Sequence, residues 1–192
     1  MSQIVGILLA AGSSRRFGAD KRLHPLPDGI PMALASARHL AAICSRTIVV
    51  IRPDDTSLAS LLAAEGLETI VCTAAEQGMG HSLSSGVAAS ADADGWLIAL
   101  ADMPYIQPAS YRAVLDALQH GARMARPVHG GQMGHPVGFA VDCFAALLAL
   151  TGDQGGKSII DADPAALIVL PVNDPGVLKD VDKSSQISLA GR

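Results

Sequence analysis

Short, uninterrupted apolar runs recur along the chain, and each is followed by a segment whose apolar residues have helical spacing. Three of these runs read QIVGILL from residue 3, TIVVI from residue 47 and WLIALA from residue 96. Because they lack polar alternation, they indicate strands of a sheet that is covered on both faces. Strands that alternate with helices predict βαβ units and a mainly parallel sheet.

The remaining segments extend this pattern along the chain. Further strands are predicted at residues 68–72, 122–128, 136–141 and 167–172, and helices at residues 31–43, 56–65, 82–91, 108–120 and 143–150. The chain has no internal repeat and no linker, and its hydrophobic residues are mostly aliphatic, with only 3% aromatic residues. We therefore predict one domain over residues 1–192, an α/β Rossmann-like three-layer sandwich.

Composition excludes several classes of function. The net charge is −4 and no lysine- or arginine-rich run is present, so nucleic acid is not an expected partner. No apolar run reaches the roughly 18 residues of a membrane span, and the start of the chain lacks signal-peptide features, which predicts a cytoplasmic protein. The cysteines Cys44, Cys72 and Cys143 are widely spaced, which favours buried thiols over disulfides or zinc ligands.

A basic, glycine-containing loop follows the first strand and reads LAAGSSRRFGADK from residue 9. Ala10, Ala11 and Gly12 are small enough for a ligand to approach the backbone, and Arg16 and Lys21 supply positive charge for a triphosphate. The spacing matches neither the Walker A pattern nor GxGxxG. A flexible surface loop is the alternative interpretation.

A second glycine-rich segment, GMGHSL at residues 78–83, precedes a helix of small residues. Helix N-termini present unpaired N–H groups that bind anions, and Ser82 is a reasonable N-cap. The alternative is a plain capped turn.

Asp102 is the strongest single candidate, because it follows the apolar run WLIALA directly, in the sequence ADMP. Ligands of parallel sheets bind beyond the carboxyl ends of the strands, and a carboxylate there suits Mg²⁺. Near the end of the chain, Asp180 and Asp182 lie on one side of an extended stretch, where Asp182 could complete that metal site. A helix cap and a solvated face are the respective alternatives.

Two distal segments are rich in glycine. The run GGQMGHPVGF at residues 130–139 could surround a flat polar ligand with His135, or form a hairpin-like turn. The run GDQGGK at residues 152–157 offers Lys157 to a phosphate, or Asp153 as a cap for the following helix.

Together these motifs resemble those of the MobA-like nucleotidyltransferases, from residue 4 to about residue 187. The first loop, the triplet DMP, the segment GHPVGF, GDxG with a basic residue, and DVD all have counterparts there. The double-alanine form LAAG is similar to that of the molybdenum cofactor cytidylyltransferases, whereas the guanylyltransferase branch more often has LAGG. Lys157, in place of the commoner arginine, and residues 183–186, in place of Thr-Pro-Glu-Asp, depart from the pattern.

The resemblance implies a nucleotide-diphospho-sugar transferase type of fold and assigns roles to individual residues. The implied nucleotide-binding residues are Leu9, Ala10, Ala11, Gly12, Arg16, Lys21, Gly80 and Ser82. Arg16, Lys21 and Asp102 would be catalytic, Asp102 and Asp182 would hold Mg²⁺, and His135, Pro136 and Lys157 would bind the acceptor.

The implied reaction is transfer of CMP from CTP to a molybdopterin-type cofactor, with a molybdoenzyme as the client. Guanylyl transfer to the same cofactor, or transfer to a sugar or polyol phosphate, would use the same loop and metal. A non-catalytic cofactor carrier is the rival from another class, but it would not need both Asp102 and Asp182.

Overall fold

The computed structural model describes residues 3–12, 20–182 and 186–187. Within these residues, eight strands form one mixed sheet. The strands are β1 Ile4–Leu9, β2 Arg46–Ile51, β3 Glu68–Val71, β4 Gly95–Leu100, β5 Met124–His129, β6 Gln132–Met133, β7 Val137–Ala140 and β8 Leu167–Pro171. The helices are α1 Met32–Ala41, α2 Thr56–Ala64, α3 Met79–Ala88, α4 Pro108–Gln119, α5 Phe144–Leu148 and α6 Lys157–Ala162.

The sheet is parallel at its centre and mixed towards one edge. Its strand order is β3-β2-β1-β4-β7-β5-β6, and β8 also pairs with β5. Strands β1 to β4 pair in parallel with one another in the order β3-β2-β1-β4, whereas β7 runs antiparallel between β4 and β5. The prediction of a mainly parallel sheet is confirmed, and the parallel pairing brings the carboxyl ends of β1, β2 and β4 to one edge.

Each face of the sheet is covered by its own apolar cluster. Alternate residues of β1 point to opposite sides, with Leu8 in the cluster of α1, α2 and α4 and Ile7 in the cluster of α3 and α5. Trp96 is fully buried on the second face, where its indole N–H donates to Ser90 and its ring stacks on Phe144. Two packed faces on one sheet confirm the predicted three-layer sandwich.

Two differences from the predicted elements concern the glycine-rich segments. Helix α3 begins at Met79, so Ser82 lies buried inside the helix, and the prediction that Ser82 is its N-cap is wrong. The chain turns earlier because Gly78 has a φ of 127°, a conformation that glycine alone adopts readily. The glycine-rich run at residues 130–139 forms a hairpin between β5 and β6 and then the strand β7.

The described cysteines are buried and unpaired, as predicted. Among the described residues, none of the helices combines the length and the apolar character that a bilayer crossing requires.

A buried carboxylate fixes the path of the C-terminal segment. Asp174 accepts hydrogen bonds from the backbone N–H of Gln107 at 2.8 Å, the hydroxyl of Ser110 at 2.7 Å and the backbone N–H of Gly176 at 2.8 Å. It thereby satisfies donors at the N-terminus of α4 while holding the chain that leads to Asp182.

We expect Asp174→Ala to lower the free energy of unfolding by about 3 kcal/mol, because it leaves buried donors without an acceptor. The control is Asp92→Ala, which removes an exposed carboxylate paired with Arg46 and should change stability by less than about 1 kcal/mol. Urea denaturation of both variants measures the difference. Equal losses in the two variants would contradict the anchoring role.

Candidate active site

A cavity of about 490 Å³ opens at the carboxyl ends of β1 and β4. Its lining includes residues that the sequence singled out on three different segments: Leu9, Ala10, Ala11, Gly12, Lys21, Ser82 and Asp102. The position agrees with the rule that parallel sheets bind ligands beyond the carboxyl ends of their strands.

Backbone pairing continues past the strand ends and holds the two main loops side by side. The N–H of Ala10 donates to Val50 at 2.9 Å, and the N–H of Ala101 donates to Leu9 at 3.1 Å. From α1, the buried hydroxyl of Ser36 donates to the carbonyl of Ala101 at 3.1 Å. The residue that follows, Asp102, is therefore presented from a fixed backbone.

Lys21 joins Asp102 to Asp182 at a place that we call the mouth of the cavity, where Lys21 and Asp102 belong to the lining and Asp182 does not. Its Nζ lies 2.8 Å from Asp102 Oδ2 and 3.2 Å from Asp182 Oδ1. The same Nζ donates to the carbonyl of Val181 at 3.1 Å. Burial disfavours the charge of the ammonium, but the two carboxylates outweigh burial and raise the pKa of Lys21. Lys21 is therefore a cation at neutral pH.

Packing of Val181 brings Asp182 close to Lys21 and Asp102. The Val181 side chain is buried in a small cluster with Leu26 and Met32, and its N–H donates to the carbonyl of Asp102 at 2.9 Å. Asp182 follows directly, so its carboxylate reaches the same cation as Asp102. Asp180, the other aspartate of the DVD segment, is exposed.

Arg22 is a functional residue that the sequence interpretation missed. It is only 3% exposed, and its guanidinium donates to both oxygens of Asp55, to both oxygens of Asp20 and to the carbonyl of Ala10. Asp55 also accepts from the backbone N–H of Arg52 at 2.8 Å and from the Arg52 guanidinium at 3.0 Å. This network ties the end of β1 to the loop after β2. The sequence signal that could have identified Arg22 is its position directly after Lys21, at the end of the basic loop.

The charges inside this network compensate one another. Burial would raise the pKa of Asp55, but hydrogen bonds from Arg22 and Arg52 outweigh it, so the pKa is lowered. Since the guanidinium of Arg22 is committed to these partners, it acts as an anchor of the loop. Lys21, the preceding residue, lines the cavity and offers its charge there.

The segments GMG and GDQG, distant in sequence, pack directly on each other. A Cβ at Gly78 would lie 2.1 Å from the carbonyl carbon of Gly152, and one at Gly80 would lie 2.7 Å from the carbonyl oxygen of Gln154. The N–H of Gly80 donates to Gly152 at 2.8 Å. Gly80 thus supports the cavity wall from behind, while Ser82 and Asp153 line it.

The predicted acceptor residues lie in two places. His135 and Pro136 lie between β6 and β7, and buried His135 Nδ1 has no hydrogen-bond partner within the part of the chain that the structure describes. Burial and the nearby charge of Arg126, opposed by Asp102, lower the pKa of His135 to about 4. Arg126, a half-buried cation that donates to the carbonyl of Gly134, was not predicted from the sequence.

The predicted acceptor residue Lys157 does not line the cavity. Lys157 is 79% exposed and forms an ion pair with Asp161, one helical turn along α6. Arg16 lies outside the described residues, and its role stays a prediction.

The arrangement combines four elements of phosphate chemistry. Small backbone residues line one side of the cavity, a lysine and two carboxylates converge at its mouth, and a half-buried histidine with an arginine lies beyond Asp102 in the region of β5 and β7. Among the described residues that line the cavity, no two side chains form the pair of nucleophile and base that covalent catalysis requires. The site is suited to positioning two anions and neutralising their charge.

The chain matches a known protein family and a relative of similar length. Residues 6–167 match the model of the MobA-like NTP transferase domain. The purine catabolism protein PucB of Bacillus subtilis is 31% identical over 199 residues, which cover 98% of this chain and 96% of PucB.

The solved structures show the same fold. Rv0371c of Mycobacterium tuberculosis superposes with a TM-score of 0.85 at 26% identity, over 97% of this chain and 96% of that one. A complex of Rv0371c with manganese superposes with a TM-score of 0.73 at 24% identity, over 89% of each chain.

The matched family model covers most of the chain, and it includes β1, the loop that follows it and the strand that leads to Asp102. The chain belongs to the MobA-like NTP transferase family, has the nucleotide-diphospho-sugar transferase type of fold, and is a nucleotidyltransferase.

Proposed function

We propose that this nucleotidyltransferase is a cytoplasmic, Mg²⁺-dependent cytidylyltransferase that transfers CMP from CTP to the phosphate of the molybdenum-pyranopterin cofactor. The observation that carries the proposal is the convergence of Asp102, Asp182 and Lys21 at the mouth of a cavity lined by the loop after β1. Such a set of charges suits a triphosphate and a divalent cation.

The loop after β1 supplies the binding surface for the nucleotide. Ala10 and Ala11 are buried and small, and among the described residues, apart from its neighbours in the chain, no atom lies within 4 Å of the position that a Cβ of Gly12 would take. A base and ribose can therefore lie close to the backbone there. The choice of CTP rests on the LAAG form of this loop, with Ala11 as the position that separates it from LAGG.

The residues at the mouth fit a divalent cation. Both carboxylates already reach one cation, the Lys21 ammonium, so their oxygens face a common point that a metal ion could take. Carboxylate oxygens are the ligands that Mg²⁺ takes, together with water and substrate phosphates. The bound cation would neutralise charge on the reacting phosphate. The manganese complex of Rv0371c supports a divalent metal in this family.

The reaction needs no covalent intermediate with the protein. An oxygen of the acceptor phosphate forms a bond to the α-phosphorus of CTP while the bond from that phosphorus to the bridging oxygen breaks. Pyrophosphate leaves with the bonding electrons. Because phosphate monoesters are largely ionised at neutral pH, the acceptor oxygen requires no general base. Lys21, together with Arg16, would stabilise the negative charge that builds on pyrophosphate.

The acceptor is proposed to bind near His135 and Pro136. A neutral His135 and the charge of Arg126 can meet a flat polar cofactor and its phosphate there. Lys157 would have to leave Asp161 to take part, so its predicted role has no support from its position. PucB is named a purine catabolism protein, and we therefore propose that the client molybdoenzyme acts in purine catabolism.

Pyrophosphate release with molybdenum-loaded pyranopterin and each of CTP, GTP, ATP and UTP tests the base and the acceptor. We expect release with CTP alone. Release with GTP instead would refute the interpretation of LAAG, and no release with any of the four would refute the acceptor.

Asp102→Asn should lower kcat/KM by at least about 100-fold, because loss of the carboxylate weakens the hold on the divalent cation that would neutralise the reacting phosphate. The matched control is Asp180→Asn, the same change at an exposed aspartate of the C-terminal segment, which should retain activity within about twofold. Steady-state pyrophosphate release measures both variants. Similar activity in the two variants would contradict the role of Asp102.

The ring of His135 should titrate near pH 4 in an NMR titration, with His135→Gln to assign its resonance. The unfolded chain binds this proton near pH 6.5. The contribution of the neutral ring to stability is therefore complete above pH 6.5 and is lost as pH falls towards 4. A ring that titrates above pH 6 would contradict its buried, neutral state.

A further inference from the structure

The Lys21 ammonium lies at the centre of the two carboxylates that the proposed function assigns to the metal. Oxygen atoms of three described residues lie within hydrogen-bond distance of its Nζ: Asp102 Oδ2 at 2.8 Å, the carbonyl of Val181 at 3.1 Å and Asp182 Oδ1 at 3.2 Å. All three are acceptors that suit the N–H donors of an ammonium. Lys21 and a divalent cation therefore require the same oxygen atoms.

Two cations cannot share this place without a large repulsion. An ammonium and a metal ion that bind the same two carboxylates would lie within a few ångströms of each other, where their charges repel strongly in a partly buried site. The Lys21 side chain is only 14% exposed, and that of Asp102 27%, so water screens the interaction incompletely. One cation must leave for the other to bind well.

The side chain of Lys21 can change partners while its backbone stays fixed. Asp20 caps the 3₁₀ turn Lys21–Leu23, and Arg22 anchors that turn through its buried network. The lysine stem is long and flexible, and it lines the cavity. Phosphates bound in the cavity would offer the ammonium a new set of acceptors.

We propose that Lys21 competes with the divalent metal ion for the carboxylates of Asp102 and Asp182. Without nucleotide it neutralises Asp102 and Asp182 and keeps the affinity for free metal low. With the triphosphate bound it transfers to phosphate oxygens, and the carboxylates become available to the cation. The metal thus enters together with the nucleotide. This inference rests on the proposed metal site at Asp102 and Asp182.

The affinity for Mn²⁺ in the absence of nucleotide tests this competition directly, by calorimetry or by electron paramagnetic resonance of the unbound ion. Lys21→Met removes the charge and keeps the length of the side chain. We expect it to bind Mn²⁺ roughly tenfold more tightly than the unaltered protein. The control Lys179→Met removes a lysine that is exposed, three residues before Asp182, and should bind Mn²⁺ within about twofold of the unaltered protein.

A second variant guards against a folding defect. Lys21→Gln removes the charge but retains a donor for one carboxylate, and it should also bind Mn²⁺ more tightly. Circular dichroism verifies the fold of both variants. Binding that is equal to or weaker than that of the unaltered protein, in a folded Lys21→Met or Lys21→Gln variant, overturns the competition.

The double variant Lys21→Met with Asp102→Asn separates this inference from the proposed function. Loss of the gained affinity in the double variant supports both the competition and the metal site. If Asp102→Asn leaves Mn²⁺ binding by Lys21→Met unchanged, the metal assignment itself fails. If Asp102→Asn weakens binding in the protein with Lys21, whereas Lys21→Met has no effect, the metal site stands and the competition fails.

Discussion

The parallel pairing of β1 with β4 is the constraint from which the site follows. It aligns Leu9 with Leu100, so the loop after each strand leaves the same edge of the sheet. One loop carries the small residues and Lys21, and the other carries Asp102. The third component, Asp182, comes from the far end of the chain because Val181 packs under the site and Asp174 holds the segment that leads to it.

The two adjacent basic residues of this loop have different roles: one holds the loop in place, and the other serves the proposed reaction. Arg22 is buried and donates to Asp20, Asp55 and the carbonyl of Ala10, so it fixes the loop at the edge of the cavity. Lys21, its neighbour, pairs with carboxylates at a partly exposed mouth. Adjacent basic residues thus have different tasks, which are set by burial and not by residue type.

The layered fold could be predicted from the sequence because periodicity is a local signal. Continuous apolar runs marked the central strands, and the acidic residue after WLIALA marked the carboxyl edge of the sheet. Features that depend on tertiary contact were not accessible. The early start of α3 depends on the close contact of Gly78 with Gly152, and the burial of Arg22 depends on Asp55 from the loop after β2.

Lys157 shows the reverse case, in which a local interaction decides the outcome. Its spacing of four residues from Asp161 on α6 allows an ion pair within the helix, and that pair is found on the surface. Motif position alone cannot tell such a pair from a phosphate ligand. Asp102, by contrast, comes directly after a buried strand, so its location follows from the sheet itself.

The central claim is that Asp102 and Asp182 form one cation site, which Lys21 holds until a nucleotide arrives. The most direct test is a crystal structure of the protein with Mn²⁺ and a non-hydrolysable CTP analogue, with anomalous scattering to locate the metal. We predict an anomalous peak bound by both carboxylates, with Lys21 Nζ in contact with phosphate oxygens. A metal bound elsewhere, or a Lys21 that still bridges the two aspartates in the loaded site, would contradict the claim.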